Sequence, residues 1–148
     1  MKKPSILFVS NTSRHKRPYY DPSTRYRCFN FAQSLSALGH PTSCTTQAIF
    51  QSQPAIFANY DYYVFHRPAL TAELAEFIMA MPTERVVADF DDLNFSVLHA
   101  IETPAVRTRS ENVSTVSKSL AKIAGAASLF TRFSSSTTPL AEHLSTLF

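Results

Sequence analysis

At 148 residues, of which 45 % are hydrophobic, the chain is long enough for one domain with its own core. Its two glycines, where average usage of about 7 % would give roughly ten, form no cluster, which excludes the phosphate-binding glycine loops of P-loop NTPases and ordinary NAD domains. The formal net charge of +3 does not by itself indicate nucleic-acid binding, so the positions of the charges matter more than their sum.

The first predicted element is a buried strand at residues 6–9, which ends at the polar segment 10–13. Its apolar run is too short for a signal peptide. No segment has the roughly 18 uninterrupted apolar residues of a membrane-spanning helix. We therefore expect a cytoplasmic protein and leave open its association with the inner face of the membrane.

A basic segment follows this strand. Five of the 14 Lys and Arg residues lie within residues 14–27, opposed only by Asp21: Arg14, Lys16, Arg17, Arg25 and Arg27. Three tyrosines are interleaved with them, a pattern suited to a phosphate, a polyanion or single-stranded nucleic acid. The simpler interpretation is a solvated loop. Arg25 and Arg27 begin a helix, where cations oppose the helix dipole and need an acidic partner or ligand.

The remaining elements alternate between strand and helix patterns. A helix from Arg25 should end at Gly39, and Gly125 should end a later helix that carries Val113. Strands are predicted at residues 42–46, 62–65, 85–88 and 128–133, with further helices at 71–79 and from Thr138. This alternation predicts βαβ units.

The predicted fold is α/β, a single Rossmann-like domain over residues 1–148. It has three layers, with helices on both faces of a parallel sheet of about five strands in the order 3-2-1-4-5. Ligands of such sheets bind at the carboxyl ends of the strands, where the strand order reverses. The basic loop 10–24 and the acidic turn 89–92 should therefore face each other across one crevice.

The acidic turn supplies the candidate catalytic residues Asp91, Asp89 and Asp92. Carboxylates this close repel one another, so at least one should have a raised pKa unless a metal or arginines neutralise them. Such a group could act as a general base or accept hydrogen bonds from sugar hydroxyls. The structural alternative is that Asp92 caps the next segment and Asp89 holds the turn.

Other candidates for substrate binding lie at the same predicted edge of the sheet. His66 and Arg67 end the third strand, although Pro68 after them also fits a simple strand end. The serine-rich turn before the last helix has hydroxyls suited to an anion or to capping. The binding candidates are Arg25, Arg27, His66, Arg67, Asn11, Ser135 and Thr137. Cys28 and Cys44 fit no metal-ligand spacing.

Three segments resemble the N-terminal half of GT-B glycosyltransferases of the family 4 type. They are Arg25-x-Arg27 with its helix ending at Leu38-Gly39-His40, the strand and turn 86–95, and the segment 133–141. The resemblance implies an acceptor-binding Rossmann-like domain that acts without a metal cofactor. It carries Asp89, Asp91 and Asp92 over as acceptor-side residues and implies a glycan or glycolipid acceptor, as in polysaccharide biosynthesis.

In that family a second, C-terminal domain or subunit binds the nucleotide-sugar donor. No counterpart of it is present in this sequence, so the resemblance implies that the chain alone is inactive or nearly so. The glycine-rich turn after the first strand is replaced by the segment 10–14. This difference argues against contact of this loop with the donor phosphates.

Three alternatives remain open. Residues 86–93 also look like the first motif of haloacid-dehalogenase phosphatases, but the later acidic pair of that family is missing. A metal-binding D-x-D of the GT-A type would use Asp89 and Asp91 and would require manganese. A non-enzymatic module that binds anions or nucleic acid would depend on the basic loop and show steep salt dependence. Nucleic acid is not the favoured partner.

Overall fold

The computed structural model describes residues 2–148. Five parallel strands form one sheet: β1 (Ile6–Ser10), β2 (Thr42–Thr46), β3 (Tyr62–His66), β4 (Val86–Phe90) and β5 (Phe133–Ser135). Their order is β2-β1-β3-β4-β5. The predicted class is confirmed, since helices alternate with the strands of one parallel, Rossmann-like α/β sheet.

Within residues 2–148, seven α-helices connect and cover the strands. They are α1 (Pro22–Thr24), α2 (Asn30–Ala37), α3 (Gln47–Ser52), α4 (Ala72–Ala80), α5 (Pro104–Arg107), α6 (Val113–Ala127) and α7 (Thr138–Leu147). A π-helical turn, Arg25–Phe29, joins α1 to α2. Side chains of the preceding residues cap α3, α4, α6 and α7 by accepting a hydrogen bond from a backbone N–H of the first turn.

The predicted strand order 3-2-1-4-5 is wrong, because β3 lies between β1 and β4. Tyr63 and Phe65 are fully buried on one face of β3. Val64 points to the opposite face, where it packs against a small cluster that contains Phe8. A parallel strand that is apolar on both faces needs cover on both, which an interior position supplies. The Thr-rich strand β2 takes the edge. His66, at the end of β3, consequently stands between the loops that follow β1 and β4.

The two glycines have different roles. Gly39 has φ +86, the left-handed conformation predicted for the end of the first long helix. Gly125 does not end a helix as predicted but lies inside α6, where an added Cβ would come within 3.0 Å of Leu70 Cδ2. The predicted strand at 128–133 is also displaced, since residues 128–130 close the end of α6 with backbone hydrogen bonds and β5 begins only at Phe133.

The core lies on both faces of the sheet. On one face an aromatic cluster of Phe50, Tyr63, Phe65 and Phe77 packs with ring centroids 4.9–6.5 Å apart. On the other face Phe8 packs with Cys28 and Ala32 from the helical segment after β1. Apolar side chains therefore pack against both faces of the sheet.

Phe65 is fully buried one residue before His66, so its truncation should leave a large cavity. We expect Phe65→Ala to lower the free energy of unfolding by about 3–5 kcal/mol. In the matched control, Tyr62→Ala on the same strand, the loss should stay below about 1 kcal/mol because Tyr62 is 39 % exposed. Urea unfolding followed by circular dichroism measures both, and equal losses would contradict this assignment of the core.

Candidate functional site

The site lies at the carboxyl edge of the sheet, where the strand register aligns four polar residues. His66 is paired with Ser10 of β1 on one side and with Asp89 of β4 on the other, and Asp89 is paired with Ser134 of β5. Strand β1 has β2 on one flank and β3 on the other, so the order reverses beside β1 and β3. Ligands of open parallel sheets bind at this place.

Asp89 is a buried, fully partnered carboxylate, 2 % exposed. Arg27 donates from Nε to Oδ2 at 3.0 Å and from Nη2 to Oδ1, and the Ser134 hydroxyl also donates to Oδ1. His66 Nδ1 lies 3.0 Å from Oδ2. Burial by itself would raise the pKa of Asp89, but the hydrogen bonds from His66, Arg27 and Ser134 outweigh it and lower that pKa. Asp89 therefore stays ionised and is closed to a substrate.

Asp91 is the more accessible carboxylate, with its side chain 17 % exposed. Arg67 Nε donates to Oδ1 at 2.6 Å, and the Ser23 hydroxyl donates to Oδ2. Here too burial would raise the pKa, but the hydrogen bonds from Arg67 and Ser23 lower it below the ordinary value. A raised pKa in the acidic turn was expected unless arginines neutralise the carboxylates, and this exception applies to Asp89 and Asp91, because each has an arginine partner.

His66 links the two carboxylates while being only 1 % exposed. Its Nδ1 contacts Asp89, and its Nε2 lies 3.0 Å from Ser23 Oγ and 4.0 Å from Asp91 Oδ1. The order Ser23, His66, Asp89 resembles that of a nucleophilic triad. The Ser23 hydroxyl, however, donates to Asp91. The arrangement therefore holds these groups in position and does not activate Ser23.

Arg67 reaches Asp91 from a left-handed backbone conformation, with φ 51. This conformation is costly for a residue with a Cβ, by roughly 1–2 kcal/mol. The Arg67 N–H donates to the backbone oxygen of Asp89 at 2.9 Å, which fixes the turn after β3 against the end of β4. The strain accompanies an arginine that is held at the edge of the site.

The two arginines of the π-helical turn, Arg25 and Arg27, have different environments. Arg27 finds its acidic partner in Asp89, as the helix-dipole argument requires. Arg25 lies outside this network and places its guanidinium 5.7 Å from the Tyr19 ring centroid and 5.0 Å from that of Tyr26. The structure thus brings Arg27, but not Arg25, into the cluster.

Other predicted residues stand near the cluster without joining it. Asp92 is exposed, and its Oδ1 accepts from the Leu93 N–H at 2.7 Å, the local turn contact considered as its structural alternative. Thr137 caps α7, and Ser135 Oγ donates to the Thr137 carbonyl at 3.1 Å. The Asn11 backbone N–H donates to the His66 carbonyl at 3.0 Å, and Asn11 also lines an adjacent cleft.

Two serines in the network were not predicted. Ser23 lies in α1, within the basic loop, where no sequence pattern distinguishes it from neighbouring hydroxyl residues. Ser134 stands opposite Asp89 only because β4 and β5 pair in this register. The predicted serine-rich turn was the right segment, but strand pairing selects a different serine from Ser135.

Within residues 2–148 no three His, Cys, Asp or Glu residues are grouped so that they could hold a metal ion. The same part of the chain contains no helix with the length and apolar character needed to cross a membrane. A nucleophilic role for Asp89, as in the phosphatase alternative, requires access that its burial does not provide.

Comparison with known proteins gave no match to a family model, to a curated protein or to a solved structure. The likeness to GT-B glycosyltransferases therefore depends on the three sequence segments described above.

Replacing Asp89 should destabilise the fold, since it leaves the largely buried Arg27 without its counter-charge. We expect Asp89→Asn to lower the free energy of unfolding by about 3–5 kcal/mol at pH 7. The exposed Asp92→Asn should change it by less than about 0.5 kcal/mol.

The pH dependence of this difference is a second measurable outcome. Because folding lowers the pKa of Asp89, its stabilisation is complete above the unfolded pKa of about 3.9 and is lost as the pH falls through the folded value. Urea unfolding at pH 3 to 7 should show wild type approaching Asp89→Asn only below about pH 4. A difference that persists unchanged at the acid end would contradict the ionised state of Asp89.

Proposed function

We propose that this chain is the acceptor-binding part of a glycosyltransferase that transfers a sugar from a nucleotide-sugar donor to a glycan or glycolipid. A second domain or subunit would hold most of the donor. The observation that carries this proposal is Asp91, an ionised, partly exposed carboxylate at the ligand edge of the sheet. An ionised carboxylate is an acceptor suited to sugar hydroxyls.

The surroundings of Asp91 fit an extended acceptor. It lines a cleft of about 350 Å³ that also includes Asp92, Thr137 and His143. Its partner Arg67 lines a second cleft of about 470 Å³. The two members of the Asp91–Arg67 ion pair therefore line different clefts, and a hydroxyl presented from the first cleft could reach the carboxylate.

In the proposed reaction, an acceptor hydroxyl donates to Asp91 and attacks the anomeric carbon of the donor sugar. The new C–O bond forms while the bond to the nucleotide breaks, and the electron pair leaves with the nucleoside diphosphate. Asp91 accepts the hydroxyl proton as general base. Asp89, His66 and Arg27 do not touch the substrate in this scheme but hold the turn that carries Asp91.

A second candidate function is anion binding without catalysis. A cleft of about 660 Å³ is lined by Arg14, His15, Lys16 and Arg17 together with Ser13 and Tyr20. Four neighbouring basic or imidazole groups and an exposed tyrosine are suited to a polyanion. Affinity for an anionic polymer that falls steeply with salt, and no preference for glycans, would favour this function.

Ligand binding by this chain tests whether it binds the acceptor while a second domain binds the donor. We expect titration calorimetry to show glycan binding, and we expect no micromolar binding of UDP- or GDP-sugars. The physical reason is that the described loops offer no glycine-rich phosphate cradle at the end of β1. Micromolar donor binding to this chain would contradict a separate donor domain.

Turnover in the presence of the donor-binding domain tests Asp91 itself. Asp91→Asn should reduce the transfer rate about 10²–10⁴-fold, the usual contribution of a general base. Glu76→Gln is the control and should remain within about threefold of wild type, because Glu76 is exposed on α4 and lines neither of the two clefts. An unchanged transfer rate in Asp91→Asn would show that Asp91 is not the general base.

A further inference from the structure

The second cleft, of about 470 Å³, lies between the loop after β1, the turn after β4 and helix α6. Its lining combines amide and hydroxyl side chains with a small apolar floor and the Arg67 guanidinium: Asn11, Thr12, Ser13, His15, Arg67, Asn94, Ser119, Leu120 and Ile123. None of these residues carries a carboxylate. The cleft thus offers many neutral hydrogen-bonding groups and one permanent positive charge.

The apolar floor and the polar rim come from different elements. Leu120 and Ile123 belong to α6 and are 6 % and 7 % exposed, so only narrow apolar strips face the cleft. Asn11 and Ser13 follow β1, and Asn94 follows the acidic turn. Opposed amides and hydroxyls above an apolar strip suit a ring with hydroxyls at its edge and C–H groups on its face.

Arg67 has unused hydrogen-bonding capacity toward this cleft. Only its Nε donates to protein acceptors, Asp91 Oδ1 at 2.6 Å and the Asn94 amide oxygen at 2.8 Å, the latter in the amide orientation that satisfies both polar atoms of Asn94. Among residues 2–148 no acceptor is hydrogen-bonded to Nη1 or Nη2 of Arg67, whose side chain is 28 % exposed. A guanidinium with both terminal nitrogens available is suited to bidentate binding of a phosphate or carboxylate.

We propose that this cleft binds an anionic, polyhydroxylated ligand, with its phosphate or carboxylate on Arg67 and its hydroxyls on Asn11, Asn94 and Ser119. This inference rests on the proposed function and deepens it, because the ligand is then the acceptor, a phosphorylated or acidic sugar. The anion can belong to a soluble sugar or to the headgroup of a glycolipid.

The position of Arg67 also couples ligand binding to Asp91. An anion bound to Arg67 competes with the Asp91 carboxylate for the same positive charge. The hydrogen bond and the charge of Arg67 lower the pKa of Asp91, so an anion that partly neutralises this charge from Nη1 and Nη2 makes the carboxylate more basic. An anionic acceptor would thereby make Asp91 a stronger general base. A substrate without an anion would leave the pKa of Asp91 lowered by Arg67.

Calorimetry with four probes tests the ligand class: glucose 6-phosphate, glucuronate, glucose and inorganic phosphate. We expect the two anionic sugars to bind about tenfold more tightly than glucose or phosphate alone, since a hydrogen bond to a charged group contributes more than a neutral one. Equal affinity for glucose and the anionic sugars, or no binding of any sugar, would overturn the inference. Phosphate binding as tightly as glucose 6-phosphate would overturn the role of the hydroxyl-lined rim.

Variants locate the binding site. Arg67→Gln should weaken binding of glucose 6-phosphate about tenfold and change glucose binding little. Arg25→Gln removes a cation of the basic segment 14–27. Arg25 does not line the cleft, so this variant should bind glucose 6-phosphate as wild type does. If Arg67→Gln does not fold, Ser119→Phe provides the test, because Ser119 is exposed on α6 and a ring there occupies the cleft while the residues of the ion pairs stay unchanged. Unchanged binding in Ser119→Phe would overturn the assignment.

Vesicles distinguish the two sources of the anion. Phosphatidylcholine vesicles containing a polyprenyl glucosyl phosphate should retain the wild-type chain, but not Arg67→Gln, if the acceptor is a glycolipid. Binding of soluble glucose 6-phosphate without vesicle retention assigns a soluble acceptor, and both outcomes support the proposed ligand class. Failure of the inference is separable from failure of the proposed function, because loss of turnover in Asp91→Asn does not depend on an anionic acceptor.

Discussion

A buried carboxylate stays ionised only if the protein supplies the partners that water would otherwise supply, and Asp89 imposes this requirement on the carboxyl edge of the sheet. Its partners come from three separate segments: Arg27 after β1, His66 at the end of β3 and Ser134 in β5. These hydrogen bonds connect residues up to 62 positions apart in the chain. The loops that surround the site are thus fixed relative to one another by one charge.

The second carboxylate differs from the first in its accessibility. Asp91 shares His66 and Ser23 with the inner network, but it borders solvent and is paired with Arg67 at the rim. The inner ion pair is closed to solvent, and the outer one leaves the Asp91 carboxylate partly accessible at the edge of the sheet. Supporting groups that hold a reactive residue in place commonly have this arrangement in functional sites.

The scarcity of glycine has a consequence for how ligands can be held. Gly39 ends a helix and Gly125 permits close packing of α6 against Leu70, so neither opens the backbone to a ligand. The site consists instead of carboxylate, guanidinium, imidazole and hydroxyl side chains. Such groups suit sugar hydroxyls and single anions, whereas backbone amides at glycine loops suit diphosphates.

Local patterns were sufficient for much of this protein. Alternating apolar runs and helical stripes predicted the parallel α/β fold. The acidic turn, Arg27, His66 and Arg67 lie together at the carboxyl edge of the sheet, where the sequence placed them. The strand order was not predictable in this way, since it depends on which strand is apolar on both faces and therefore requires an interior position. That order placed His66 between the loops after β1 and β4.

The details of the site depended on contacts between distant segments. Ser23 and Ser134 entered the network, and Asp92 and Arg25 stayed outside it, because strand register and loop packing decide which side chains meet. The ionised state of Asp89 and Asp91 follows from the same contacts, since each carboxylate has an arginine partner that offsets the repulsion between them. Sequence by itself determined the elements and the kinds of chemical groups available. Only the tertiary structure decided which groups touch, because hydrogen bonds and ion pairs act over a few ångströms between residues far apart in the chain.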